Sequence, residues 1–98
     1  MTMRIGYGYD VHRFGGRGRL KLGGVTFAHR GLAGHSDADV LLHALADALL
    51  GAIGGPDLGT VFPPSDPRWR GADSARFVRE ASARIARRKW RVANVDAT

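Results

Sequence analysis

Ser36-Asp-Ala-Asp-Val-Leu-Leu-His-Ala-Leu-Ala-Asp-Ala-Leu-Leu-Gly51 is the stretch on which the reading of this chain turns. Leucine and alanine, both strong helix formers, fill it almost without interruption. Ser36 is a good N-cap with Asp39 three residues on, and Gly51 supplies a stop signal, so the pattern predicts a helix over Asp37 to Leu50. Asp39, His43 and Asp47 fall at i, i+4 and i+8, which places them in one polar stripe along an otherwise apolar helix. A polar stripe on such a helix needs a partner.

Working outward towards the N-terminus, Arg4 to Phe14 carries the Ile, Tyr, Val and Phe content of a strand, with Gly6 and Gly8 where another backbone or a ligand can approach closely. Gly15 to Gly18 reads as a turn. Leu20 to Leu22 and Val25 to Phe27 flank Gly23-Gly24, which predicts a β-ribbon folded at a tight bend or bulge. Towards the C-terminus, Gly51 to Asp73 contains all 4 prolines of the chain and several glycines, so it reads as an irregular loop long enough to suggest a functional role. A second helix follows, capped by Asp73 or Ser74. Its Phe77, Val78, Ala81 and Ile85 recur at helical spacing, as a stripe expected to pack on a sheet. From Arg91 the chain turns to Val92 and Val95, which looks like the beginning of another strand.

These elements predict an α+β domain over residues 1–98, with helices on one face of a small mixed sheet that is incomplete at its C-terminal end. The 98 residues bound the chain to one small domain with a modest core. A hydrophobic fraction of 44% with 24% charged residues is ordinary for a soluble globular protein, and no apolar run approaches the length of a membrane span. Met1 to Asp10 has no continuous apolar run of the kind a secretory signal needs, so a cytoplasmic address is expected. The chain has no cysteine, which leaves histidine and carboxylate as its strong metal ligands. The net charge of +6 invites a nucleic-acid partner. However, Arg76, Arg79, Arg84, Arg87 and Arg88 gather on one predicted helix and its end, a pattern expected of a solvated face. A small phosphorylated substrate accounts for a positive field equally well.

The chemistry concentrates in a few residues. Along a strand Asp10 and His12 share a face, while Val11 points into the opposite layer. If His43 of the helix completes them, the set is two imidazoles and one carboxylate with a fourth position open, as in a catalytic zinc site; Asp39 or Asp47 would then orient the imidazole. The competing reading is an Asp-Val-His stretch facing solvent and a hydrogen-bonded helix histidine. His35 and Ser36 stand at the start of the same helix, where unpaired amides and the helix dipole favour an anion, although Ser36 also fits simple capping. Together these residues suggest metal-assisted phosphoryl chemistry. Asp57-Leu58-Gly59 and Phe62-Pro63 lie in the long loop, where Asp, Gly and Pro are also ordinary turn residues. Trp69 and Trp90 read as packing residues and His29 as a surface histidine.

Arg4-Ile-Gly-Tyr-Gly-Tyr-Asp-Val-His-Arg-Phe, then Gly34-His-Ser-Asp-Ala-Asp-Val-Leu-Leu-His-Ala-Leu-Ala-Asp-Ala-Leu-Leu-Gly, then Asp57-Leu-Gly, Phe62-Pro, Gly71-Ala-Asp-Ser and Asn94-Val-Asp form a combination that resembles the 2-C-methyl-D-erythritol 2,4-cyclodiphosphate synthase family of the non-mevalonate isoprenoid pathway. The resemblance runs from Met3 to Thr98. It implies a homotrimer with active sites between subunits, where 4-diphosphocytidyl-2-C-methyl-D-erythritol 2-phosphate is cyclised with release of CMP. It further implies zinc at Asp10, His12 and His43, a second divalent ion (magnesium or manganese) elsewhere in the site, and His35 as the residue that stabilises the transition state. By the same resemblance Asp10, Val11, His12, His35, Ser36, Asp57, Leu58, Gly59, Phe62 and Asp66 line the substrate, the loop residues meeting its methylerythritol end. Pro64 stands where the family usually carries an acidic residue. Family members also continue beyond the equivalent of Thr98 with the cytidine-binding loop and a second catalytic segment. The alternative expectation is therefore a non-catalytic metal-binding or assembly fragment of that enzyme.

Overall fold

Two glycines decide how the chain is layered. In the computed structural model, which describes residues 2–98, the N-terminal segment lies extended across a helix, α1 (Val40–Ala52). A Cβ on Gly6 would overlap the Ala48 carbonyl oxygen, and one on Gly8 the Ala44 carbonyl oxygen, so the two backbones touch without intervening side chains. The alternation is that of a strand: Gly6, Gly8, Asp10 and His12 turn to α1, whereas Ile5, Tyr7, Tyr9 and Val11 are exposed. The strand expected over Arg4 to Phe14 is nonetheless not formed. No neighbouring strand lies beside the segment among the described residues, so its backbone joins no ladder. Val11, expected to enter an opposite layer, faces solvent.

The sheet begins where that segment ends. β1 (Phe14–Leu22) pairs antiparallel with β2 (Val25–Leu32), closing through Leu22 opposite Val25. Gly23 and Gly24 both hold positive φ, 61° and 83°, the requirement of a two-residue hairpin turn of type I′. The predicted ribbon is thus present and longer than expected. Gly15 to Gly18 is not a turn but an irregular part of β1, which advances from Phe14 to Arg19 while β2 moves only from Leu32 to Arg30.

α1 starts later than its sequence signals suggest. Ala38 takes a left-handed conformation (φ 58°), and Asp39 rather than Ser36 is the N-cap, accepting from the Leu42 amide. At the other end Gly51 lies inside the helix. The stop is a Schellman motif, in which Gly54 at φ 66° donates to the Gly51 carbonyl and Gly55 to that of Leu50. The loop after it is more ordered than expected, with a single helical turn, α2 (Leu58–Val61), and a 3-10 turn at Pro67–Trp69. α3 (Ala75–Arg87) ends in a second Schellman motif, formed by Lys89 at φ 61° and Trp90.

The core lies between α1 and α3. Ala46, Leu49, Leu50 and Ile53 meet Phe77, Ala81 and Ile85, with Ala46 and Ala81 fully buried, so that small residues let the helices approach. The stripe on α3 therefore packs on a helix, not on a sheet. Trp69 and Trp90 pack against this core, as expected. Residues 91–98 form no strand, and Val92 and Val95 remain exposed. The architecture is α+β, as the sequence pattern implied.

Gly8→Ala should lower stability by about 1–3 kcal/mol, because the new methyl group cannot be placed without lifting the segment off α1. Chemical denaturation measures the loss, and a wild-type midpoint would show that this contact is not tight.

Candidate metal centre

The close contact between the N-terminal segment and α1 brings three side chains to one point. Asp10 Oδ2 lies 2.9 Å from His12 Nε2 and 3.2 Å from His43 Nδ1, and the two nitrogens are 3.2 Å apart. Donor atoms bound tetrahedrally to zinc at 2.0–2.2 Å stand roughly 3.3 Å from one another, so this triangle is metal-sized. Asp10 and His12 share a face of the segment, and His43 is buried one turn into α1. Gly34 leaves room for the His12 ring, since a Cβ there would come within 3.3 Å of it.

Proton bookkeeping favours a cation at the centre of the triangle. The Ala33 carbonyl, 2.7 Å from His12 Nδ1, can only accept, so that nitrogen donates, and in the neutral ring Nε2 would present its lone pair to Asp10 and His43. Burial is the main influence on His43 and, despite the pull of Asp10, holds its pKa below the ordinary histidine value. It is therefore neutral at pH 7, the form in which imidazole binds a metal.

The surroundings of His43 differ from those expected. Asp39 is fully buried, but its carboxylate accepts from the Gly23 amide at 2.9 Å, the Gly24 amide at 2.7 Å and the Leu42 amide at 3.1 Å, tying the hairpin turn to the start of α1. Asp47 accepts from the Leu58 amide at 2.7 Å. Neither orients the imidazole. His43 Nε2 instead meets Ser74 Oγ at 2.8 Å and Ser36 Oγ at 3.1 Å. Ser74 is in turn hydrogen-bonded through its hydroxyl to Asp37 Oδ1, while its amide donates to Asp37 Oδ2 at 3.0 Å. Sequence reasoning missed Ser74 and Asp37 as neighbours of the site. Both look like helix-capping residues, and they lie more than thirty positions from the groups they contact.

The other expected site residues fall into two groups. Ser36 joins the cluster directly, and its oxygen also accepts from the Ala38 amide at 3.3 Å. The His35 ring turns towards the long loop, with Nε2 donating to the Asp66 carbonyl at 3.1 Å. Asp57 and Asp66 cap their own turns, accepting from the Thr60 and Arg68 amides. Leu58 and Phe62 pack against the core, where the Phe62 ring meets Phe77 at 4.5 Å and Phe77 meets His43 at 5.7 Å. Gly59 is exposed on α2, and Pro64, in the turn that follows α2, is exposed as well. On α3, Arg84 and Arg87 both bond Glu80, and Arg76 stacks over Trp69 at 4.9 Å.

A family model described as the YgbB family matches residues 3–98. The chain belongs to the YgbB family. Among its relatives, the 2-C-methyl-D-erythritol 2,4-cyclodiphosphate synthase of Xylella fastidiosa is 57% identical over 99 residues, covering 100% of this chain and 56% of that enzyme. The synthase of the same name from Pseudomonas aeruginosa is 58% identical over 97 residues, covering 98% of this chain and 62% of the relative. A solved structure of such a synthase in its CDP-bound form superposes with a TM-score of 0.79 at 47% identity, over 88% of this chain and 58% of the other. This YgbB chain thus spans less than two thirds of the length of the relatives it matches.

Burial acts to raise the Asp37 carboxyl, but hydrogen bonds from the Ser74 hydroxyl and amide, the Asp39 amide and Lys21 outweigh it and hold the group below the ordinary Asp value. A depressed folded-state pKa contributes stability above the unfolded-state value, near 3.9, and that stability is lost as pH falls through the folded value. Asp37→Asn should accordingly lower the denaturation midpoint at neutral pH, with the gap to wild type narrowing below about pH 4. A gap that stays constant into acid would show that the charge of Asp37 contributes nothing.

Proposed function

We propose that this chain provides the metal-binding and methylerythritol half of a 2-C-methyl-D-erythritol 2,4-cyclodiphosphate synthase active site. The observation that carries the reading is the metal-sized triangle of Asp10, His12 and His43, set beside Ser36 in the turn that precedes α1. The family supports the reaction: the 2-phosphate of 4-diphosphocytidyl-2-C-methyl-D-erythritol 2-phosphate attacks the β-phosphorus. A new P–O bond forms, the bond from the β-phosphorus to the bridging oxygen breaks, and CMP leaves with the electron pair.

Asp10 Oδ2, His12 Nε2 and His43 Nδ1 would hold zinc, which supplies a Lewis acid for a phosphate oxygen. Ser36 is suited to donate to that phosphate. Its oxygen faces both His43 Nε2 and the Ala38 amide, which engage its lone pairs and leave the hydroxyl proton free to turn outward. His35, once released from the Asp66 carbonyl, presents Nε2–H to the developing charge, and the same bond ties its position to the loop bearing Asp57, Leu58, Gly59, Phe62 and Asp66. That loop is the natural contact for the methylerythritol end. Val11, on the exposed side of its segment, would reach substrate only from a neighbouring surface, as in the family's trimer of shared sites. The family resemblance assigns magnesium or manganese, and the cytidine moiety, to groups other than these residues, and this chain covers 56% of the Xylella fastidiosa relative.

The second reading, a metal-binding or assembly module without turnover, draws support from the exposed apolar side of Ile5, Tyr7, Tyr9 and Val11 and from the extended backbone of that segment, which has no neighbouring strand among the described residues and is of the kind that recruits another chain.

CMP release by the full-length protein is the direct test. His43→Ala should remove bound zinc, as measured by elemental analysis, and abolish release. His35→Ala should retain zinc yet lose about 100-fold in kcat. Undiminished activity in His43→Ala sinks the metal assignment. Zinc binding without CMP release in the wild type selects the module reading.

A further inference from the structure

Resting on the metal reading, we infer that Ser74, oriented by Asp37, fixes the His43 imidazole as its Nε2–H tautomer and thereby aims the Nδ1 lone pair at the metal position. Ser74 is a positioning residue in this scheme, acting through His43 and touching neither metal nor substrate.

The Asp37 carboxylate receives the Ser74 amide at 3.0 Å, the Asp39 amide at 3.1 Å and the Lys21 ammonium at 3.3 Å, together with the Ser74 hydroxyl. Surrounded by donors, Asp37 can only accept, so the single Ser74 hydroxyl proton points to it. Ser74 Oγ therefore faces His43 Nε2 across 2.8 Å with a lone pair, and Nε2 must supply the proton. In a neutral imidazole this leaves Nδ1 unprotonated, on the side where Asp10 and His12 lie.

The hydroxyl has no competing structural task. Ser74 is the N-cap of α3, yet its side chain makes no capping bond, and the residue is fully buried. A buried N-cap serine whose hydroxyl is turned away from its own helix needs another explanation, and the His43–Asp37 bridge supplies one. The geometry also joins three separated parts of the chain. Lys21 on β1 reaches both Asp37 and Asp73, so the ribbon, the start of α1 and the start of α3 all hold the one imidazole.

Two measurements separate this role from a purely structural one, with Ser74→Ala and Asp37→Asn each compared with wild type. Imidazole 15N chemical shifts of His43 in metal-free protein report the tautomer. Wild type should show protonated Nε2 and bare Nδ1, and Ser74→Ala, left with Ser36 Oγ as acceptor, should show a mixture. Zinc affinity, from competition with a chromophoric chelator, should fall about 10–100-fold in Ser74→Ala and in Asp37→Asn, with the far-UV spectrum unchanged. The inference is overturned if wild-type His43 carries its proton on Nδ1, or if Ser74→Ala keeps both the wild-type tautomer and the wild-type affinity. Failure of wild type to bind zinc would instead overturn the metal reading. The tautomer arm needs no metal and still decides whether Ser74 controls His43.

Discussion

The backbone of residues 6–8 lies directly on the backbone of α1, and the site depends on that contact. Two packed elements normally stand apart by the thickness of their side chains. With glycine on one side and Ala44 and Ala48 on the other, that spacing collapses. Only then do Asp10 and His12, the next residues on the same face, come within 3.2 Å of an imidazole rooted in the helix. The same alternation turns Ile5, Tyr7, Tyr9 and Val11 outward, so the apolar side of the segment is exposed because its glycine side is committed to α1.

A second constraint holds α1 in position along its axis. Asp39 is a fully buried carboxylate with three amide donors, two of them from the Gly23-Gly24 turn. An unpaired buried charge would be costly, and the turn supplies the pairing that the helix end alone cannot. The hairpin is thereby fixed to the first turn of the helix, and Lys21, further along β1, is placed to meet Asp37 and Asp73. The polar groups of Asp37, Asp39 and Ser74 are thus used between elements, and few remain for the helix signals they spell in sequence.

The contact between α1 and α3 sets the remaining wall. Ala46 and Ala81 let the helices approach, and Phe77 fills the space between the Phe62 ring and the His43 ring. The long loop is therefore packed against His43 through the Phe62 and Phe77 rings, and the hydrogen bond from His35 to the Asp66 carbonyl ties the same loop to the residue beside Ser36.

Much of this was legible in residue order. Period two placed Asp10 and His12 on one face, period 3.6 placed His43 on a polar stripe, and Gly23-Gly24 announced the hairpin, because each follows from local geometry. The combination of motifs also pointed to the 2-C-methyl-D-erythritol 2,4-cyclodiphosphate synthase family, which the YgbB family match and the relatives of that name bear out. Helix limits and partners were not legible. Ser36, Asp37 and Asp39 are all good capping residues, and only the folded chain determines that Asp39 caps while Ser36 and Asp37 turn to His43 and Ser74. The expected strand at Arg4 to Phe14 failed for a similar reason, since a strand is defined by a neighbour as well as by its own residues. The sequence by itself determined which side chains could bind a metal and on which faces they lie. The tertiary structure alone decided which of them meet and which groups hold them, because contacts such as Asp10 to His43 and His43 to Ser74 join residues more than thirty positions apart and local propensity does not reach that far.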